Sequence, residues 1–311
     1  MGNPLFILII GMAPGIFWLW YVYHLDVYEP EPKKLVLKTF VWGAAFSFMA
    51  AIIEAIALEL LLGFNPNNNQ LALVPIPLLF VICFFIIGPI EEFVKFLAVV
   101  KVLAPKLKIQ NKNLQPIFVI KLPAPVDSLI RKFRQNKNEE LPVLQNTANS
   151  IYDCPDLNEP IDGIVYSSAA ALGFATFETI GYLFIFGWKA IFIRALVAVP
   201  AHVLFSSFWG YGIARGIYHP EERKDLTKWF ALGAFSHGLW DFMLFSVMAH
   251  PPYVIVGLLL DLVLFFVMYG WIKKRIRWAE EVSPFKEKAL HLFARPKDDE
   301  RKRPEVERES W

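Results

Sequence analysis

Residues 86–101 read Ile86-Ile87-Gly88-Pro89-Ile90-Glu91-Glu92-Phe93-Val94-Lys95-Phe96-Leu97-Ala98-Val99-Val100-Lys101. Two carboxylates and an amine here interrupt an apolar run that reaches back to about residue 73. A run of this length crosses the ~30 Å hydrocarbon layer as a helix. In lipid, a lone segment satisfies its own N–H and C=O groups only as a helix. Lys101 marks the polar end of the run, and at 1.5 Å per residue Glu91 lies about 15 Å inside it, near the midplane. An ionised group at that depth costs roughly 2.5–3.5 kcal/mol on insertion scales, so it signals pairing or function.

Outward from this stretch the chain repeats the pattern. Seven candidate spans fall at about 4–23, 37–62, 73–102, 162–186, 189–215, 228–249 and 252–272. Of the 311 residues, 56% are hydrophobic and 19% charged, against about 25% charged in a soluble domain. The predicted fold class is all-α, a polytopic membrane protein with about seven transmembrane helices. Lys and Arg concentrate in segments 24–38, 101–160 and 215–228 and in the tail from Lys273, while 63–70 and 249–252 carry none. The positive-inside rule then places the N-terminus outside and the C-terminus in the cytoplasm of a multi-pass plasma-membrane protein.

Residues 1–272 read as a single transmembrane helical domain with a cytoplasmic loop at 104–160, and 273–311 as a charged cytoplasmic tail. Within the loop, Val126, Leu129, Ile130 and Phe133 recur at helical spacing beside Arg131, Lys132 and Arg134. That pattern fits a basic helix on the anionic membrane surface or a small loop helix with a solvated face. Cys83 and Cys154 fall in different environments, so no disulfide framework is indicated. Met1-Gly2-Asn3-Pro4 shows neither the basic start nor the small-residue cleavage site of a secretory signal, so it is expected to lead into a retained first helix. A net charge of +2 gives no reason to expect a nucleic-acid partner.

Other spans carry ionisable groups at a similar depth. The fourth has Glu178, the fifth His202, and the sixth His237 and Asp241. Glu91 and Lys95 are four apart and share a helix face, so the amine can neutralise one carboxylate and leave the other for chemistry. His237 and Asp241 have the same spacing, which would let Asp241 hold the imidazole in one tautomer. His202, Ser206, Gly210 and Ala214 form a ladder of small residues, and Gly173 and Gly181 flank Glu178; both features would admit a close neighbouring helix. Ser206, Ser207 and Ser236 read as packing residues. Glu54, Glu59 and Asp261 are equally well explained as helix–helix hydrogen bonds.

His-Glu-x-x-His, Gly-x-Ser-Gly and Gly-x-Gly-Asp are all absent, so neither a zincin helix nor a rhomboid-like or presenilin-like site is present. The set Glu91-Glu92-x-x-Lys95, Phe174-x-x-x-Glu178, His202 with Gly210, and His237-x-x-x-Asp241 resembles the PrsW family of membrane proteases. These are distant relatives of the type II CAAX prenyl endopeptidases and bacteriocin-processing membrane proteins. Asp162-Gly163-Ile164-Val165-Tyr166 and the turn Glu29-Pro30-Glu31-Pro32 also look like this family. The four motifs keep the family's order on separate spans. The long polar connection at 104–160 departs from its pattern. The resemblance implies regulated cleavage of membrane-embedded substrates, such as single-span regulatory proteins of the anti-sigma-factor kind, within a lipid bilayer.

Residue chemistry fits peptide hydrolysis. A carboxylate in a low-dielectric site suits a general base that activates water, and Glu91 or Glu92 is the expected one, with Lys95 orienting its partner. His202 and His237 then either donate to the oxyanion or bind Zn²⁺ with Glu178 or one of the glutamate pair. Residue types leave both open, with the metal-free form preferred. The expected catalytic set is Glu91, Glu92, Lys95, Glu178, His202, His237 and Asp241. Midplane acids and bases also suit a proton-coupled transporter, with Pro75, Pro77 and Pro89 as interruptions of its third span. A non-catalytic scaffold or immunity protein is a third reading.

Overall fold

The structure is a computed structural model that describes residues 4–62, 74–103, 154–188, 190–249 and 254–287. The amphipathic stretch at 126–133 and most of the charged tail lie outside the described residues. Seven helices are long and apolar enough to cross a membrane. They are α1 (Pro4–Tyr23), α2 (Lys33–Leu62), α3 (Ile76–Leu103), α4 (Pro160–Phe186), α5 (Ile191–Tyr218), α6 (Leu226–Ala249) and α7 (Val254–Glu281). No strand occurs among the described residues. The chain is therefore an all-α, multi-pass integral membrane protein. Its last helix continues beyond residue 272, where the charged tail was expected to begin.

Helices α4 and α5 are the most buried and α2 and α7 the least. α4 packs on α1, α2, α3 and α5, while α6 packs on α3, α5 and α7. Helices α2, α3, α6, α5 and α4 thus close a ring. Outside the ring, Leu60, Ile185, Ile193, Leu196, Ile255 and Val263 are exposed, an apolar surface that suits hydrocarbon rather than water.

Prolines shape two of the ring helices. Pro89 and Pro200 lack an N–H and crowd the carbonyl four residues earlier. Each is preceded by one π-helical segment, Cys83–Ile87 in α3 and Arg194–Ala198 in α5. The wider turn absorbs the proline and the helix resumes without a break. Glu91 and Glu92 follow Pro89 directly, and His202 follows Pro200, so both π turns re-aim functional side chains. The third span is not interrupted as a transporter reading would have it.

Close helix approach sets the remaining geometry. A Cβ on Gly173 would stand 1.8 Å from the Phe40 carbonyl oxygen of α2, and one on Gly238 would stand 2.6 Å from the Cys83 carbonyl oxygen of α3. Gly181, read from its spacing as a second contact, has nothing within 4 Å of its Cβ position. Gly173→Ala should therefore destabilise the bundle by about 1–3 kcal/mol through overpacking. Gly181→Ala should leave thermal unfolding in detergent unchanged. Equal midpoints for the two variants would refute the close α2–α4 contact.

Candidate active site

The five ring helices bring their charged residues to one buried point. Glu92 is fully buried and accepts four hydrogen bonds. Lys95 Nζ (2.8 Å) and His237 Nδ1 (3.0 Å) donate to its Oε1, and Ser206 Oγ (2.7 Å) and Trp209 Nε1 (2.9 Å) to its Oε2. Glu92 therefore ties α3 to α5 and α6. With every lone-pair direction used, it acts as a buried anchor and has no capacity left for a water.

Glu91 differs from its neighbour. Its Oε2 is buried and has no hydrogen-bond partner. It lies 3.5 Å from Lys95 Nζ, 3.4 Å from His237 Nε2 and 3.9 Å from His202 Nδ1. Because His237 gives its Nδ1–H to Glu92, its Nε2 presents a lone pair towards Glu91. Two acceptors thus face each other, an arrangement suited to a shared donor or cation. Phe205 stacks on the His237 ring at 4.5 Å between centroids and fixes its plane.

His202 is held at both nitrogens. Lys95 Nζ donates to its Nδ1 (3.0 Å), and its Nε2–H donates to Glu178 Oε2 (2.9 Å). Lys95, fully buried, also sits 4.4 Å from the centroid of the Phe174 ring, which gives that motif residue a cation–π role. Glu178 in turn accepts from Arg194 Nη2 at 2.7 Å, and Arg194 Nε donates to Thr179 Oγ1 at 2.9 Å. Arg194 is buried in the π segment of α5. Arg194→Gln should lower stability by about 1–3 kcal/mol, because the half-buried Glu178 loses its counter-charge. Adding Glu178→Gln should recover part of that loss in thermal unfolding, and a strictly additive double variant would disprove the pairing.

All seven residues expected from sequence converge here, but some roles move. Glu92, rather than Asp241, fixes the His237 tautomer. The tight α3–α6 contact at Gly238 brings Glu92 to Nδ1, while Asp241 Oδ2 stands 3.7 Å from Nε2. Glu91, rather than Glu178, groups with the two histidines, since Glu178 is committed to Arg194. Arg194 is an addition to the expected set: it lies near the end of its span, where a charge reads as a boundary residue. Its place two helical turns before His202 was the usable signal. Glu54 of α2 also comes within electrostatic reach of Glu91, Glu178 and Asp241. A cavity of about 600 Å³ between α1, α5 and α7, lined by Phe17, Tyr21, Val203, Ser207, Phe265 and Tyr269, contains none of these groups.

One donor atom each from Glu91, His202 and His237 lies within 4.8 Å of the others. The unpartnered Glu91 oxygen and the bare His237 nitrogen fit a metal ion of the His₂Glu type. His202 fits if Lys95 releases Nδ1. Fold and site together define a membrane-embedded hydrolase.

The comparisons with known proteins narrow this class. Residues 31–130 and 138–271 match the model of the PrsW family, described as intramembrane metalloproteases. The protease PrsW of Geobacillus kaustophilus is 28% identical over 76% of this chain and 78% of its own length. That of Bacillus subtilis is 26% identical over 75% and 80%, and that of Clostridioides difficile 27% over 78% and 80%. No solved structure matches the chain. The chain belongs to the PrsW family of intramembrane proteases.

Proposed function

We propose that this protein hydrolyses peptide bonds of single-span regulatory membrane proteins within the bilayer, with Glu91 as the base that activates water. The observation that carries the assignment is the contrast inside the glutamate pair. Glu92 is saturated by four donors, whereas Glu91 Oε2 has none and faces the bare His237 Nε2 at 3.4 Å.

A water donating to Glu91 and His237 has its lone pairs free for a scissile carbonyl. Attack forms the new C–O bond as Glu91 takes the water proton. The proton then passes to the leaving amine as the C–N bond breaks. His237 can carry it, because its Nδ1 is fixed on Glu92 and its Nε2 lies between Glu91 and Asp241. Lys95 holds a positive charge beside Glu91 throughout. His202, engaged at both nitrogens, positions Lys95 and Glu178 and has no free N–H for an oxyanion. If a zinc-type ion is used, Glu91, His202 and His237 would hold it; Glu91 would then serve as a ligand instead of the base, and the ion would supply Lewis acidity to the water and carbonyl. The membrane orientation follows the basic residues, with the N-terminus outside and the tail cytoplasmic.

The test is cleavage of a tagged panel of single-span membrane proteins by the purified chain in liposomes, for wild type and His237→Ala, with and without a strong chelator. Cleavage by wild type and its loss in His237→Ala are expected. Loss under chelation with rescue by Zn²⁺ would identify the metal-dependent form, and activity retained under chelation the metal-free one. A panel left uncut by wild type, with solute or proton flux altered in the variant, would overturn the assignment.

A further inference from the structure

We propose that the chain binds a hard divalent cation, of the calcium or magnesium type, at a second buried site made by Asp26, Glu159 and Asp162 with Glu31 beside them. The site is independent of the hydrolytic centre. Asp162 and Glu178 are sixteen residues apart on α4, about 24 Å along the helix.

Four carboxylates meet here from two parts of the chain. Asp26 and Glu31 come from the α1–α2 connection, Glu159 and Asp162 from the start of α4. All four are at most 3% exposed. Each of three carboxylates has one oxygen held by the protein. Tyr166 Oη–H donates to Glu31 Oε2 at 2.5 Å, the Asn158 and Glu159 amides donate to Asp162 Oδ2 at 2.7 and 2.8 Å, and Ser283 Oγ–H donates to Glu159 Oε2. The other oxygens, Glu31 Oε1, Glu159 Oε1 and Asp162 Oδ1, are buried and receive no hydrogen bond from a donor among the described residues. The carboxyls themselves meet in pairs, Asp26 with Glu159 and Glu31 with Asp162, so that either a cation or shared protons must fill the space between them. Asp26 is oriented by the Glu31 amide, which donates to its Oδ2 at 3.1 Å.

Such an arrangement is costly without a positive charge. Buried polar atoms are nearly always partnered, and buried anions are paired or bind metal. The ion pairs formed among the described residues involve Glu91, Glu92, Glu178, Glu221, Glu222 and Asp241, and none of these four acids. One oxygen each of Asp26, Glu159 and Asp162 lies within 4.8 Å of the others, a spacing compatible with ligands on opposite sides of an ion bound at 2.3–2.6 Å. An all-carboxylate donor set, with no imidazole or thiolate, selects a hard ion over zinc. Burial first, and then neighbouring acids, pushes the carboxyls of Asp26 and Glu31 each up to about 8, which reflects the same cost. Bound there, the ion would clamp the α1–α2 connection to the start of α4. Ser283, just past α7, joins through Glu159.

The experiment uses the full chain in detergent and Tb³⁺ as a luminescent stand-in for Ca²⁺, with Tyr166 near enough to sensitise emission. Wild type should show sensitised emission that Ca²⁺ or Mg²⁺ displaces, and Ca²⁺ or Mg²⁺ should raise its thermal midpoint. Glu159→Gln and Asp26→Asn should each weaken Tb³⁺ binding at least about tenfold. Glu91→Gln and His237→Ala should keep it, which separates this site from the hydrolytic one. Emission unchanged in both cluster variants would overturn the proposal. So would a wild-type midpoint indifferent to Ca²⁺ and Mg²⁺ with Gln and Asn variants at least as stable, since the acids would then be sharing protons instead.

Discussion

Glu91→Gln should abolish cleavage and leave the fold intact, whereas Glu92→Gln should damage both. The two residues are adjacent in sequence and share chemistry, so any difference comes from their surroundings. Glu91 Oε2 has no hydrogen-bond partner and its strongest neighbour is Lys95 at 3.5 Å. An amide there removes a poorly compensated buried charge, and the thermal midpoint should hold or rise. The rate should fall by roughly 10²–10⁴, the usual contribution of a positioned general base. Glu92 is the opposite case. Its oxygens receive Lys95 and His237 on one side, Ser206 and Trp209 on the other. A glutamine presents an NH₂ to two of these donors, orphans them, and removes the counter-charge of Lys95. The expected loss is about 3–5 kcal/mol of stability, as for other broken buried ion pairs. Cleavage in liposomes and thermal unfolding in detergent, run on the same preparations, measure both quantities. If the two variants behave alike, or if Glu92→Gln alone keeps its fold, the division of labour is wrong.

The sequence made the spans legible because lipid permits so few backbone forms, and it made Glu91, Glu92 and Lys95 legible because charge is rare at that depth. Which glutamate is free was not legible. That depends on Ser206 and Trp209, which reach Glu92 from α5 across more than a hundred residues of sequence. The same holds for His237. A spacing of four made Asp241 its natural partner, but a glycine at 238 admits α3 so closely that Glu92 arrives first. Glu31 and Asp162 were visible as motif pieces, yet nothing in their local sequence told that they share one buried cluster. The π turns were equally hidden, although Pro89 and Pro200 mark where they fall. Periodicity reports which face of a helix is apolar. It does not report which helix lies opposite.

Lys95→Met should be the most damaging single change in the bundle. The ammonium is fully buried and compensates Glu92 at 2.8 Å and Glu91 at 3.5 Å, donates to His202 and rests against Phe174. Methionine matches its stem but supplies no charge, so two buried carboxylates lose their counter-ion and His202 loses the donor at Nδ1. A loss of about 3–5 kcal/mol or more is expected, visible as a lower thermal midpoint or a failure to accumulate in the membrane. The double variant Lys95→Met/Glu92→Gln separates charge balance from catalysis. Removing both members of a buried pair often restores stability, because neither ion then remains uncompensated. The double variant should therefore be more stable than Lys95→Met alone, a coupling of at least about 1 kcal/mol in the mutant cycle. It should still cut nothing, because His237 has lost the carboxylate that fixes its tautomer and Glu91 the charge beside it. Recovery of cleavage along with stability would mean that the Lys95–Glu92 pair only holds the helices together. Recovery of stability alone would show that the buried ions are kept for the geometry they impose on Glu91 and His237.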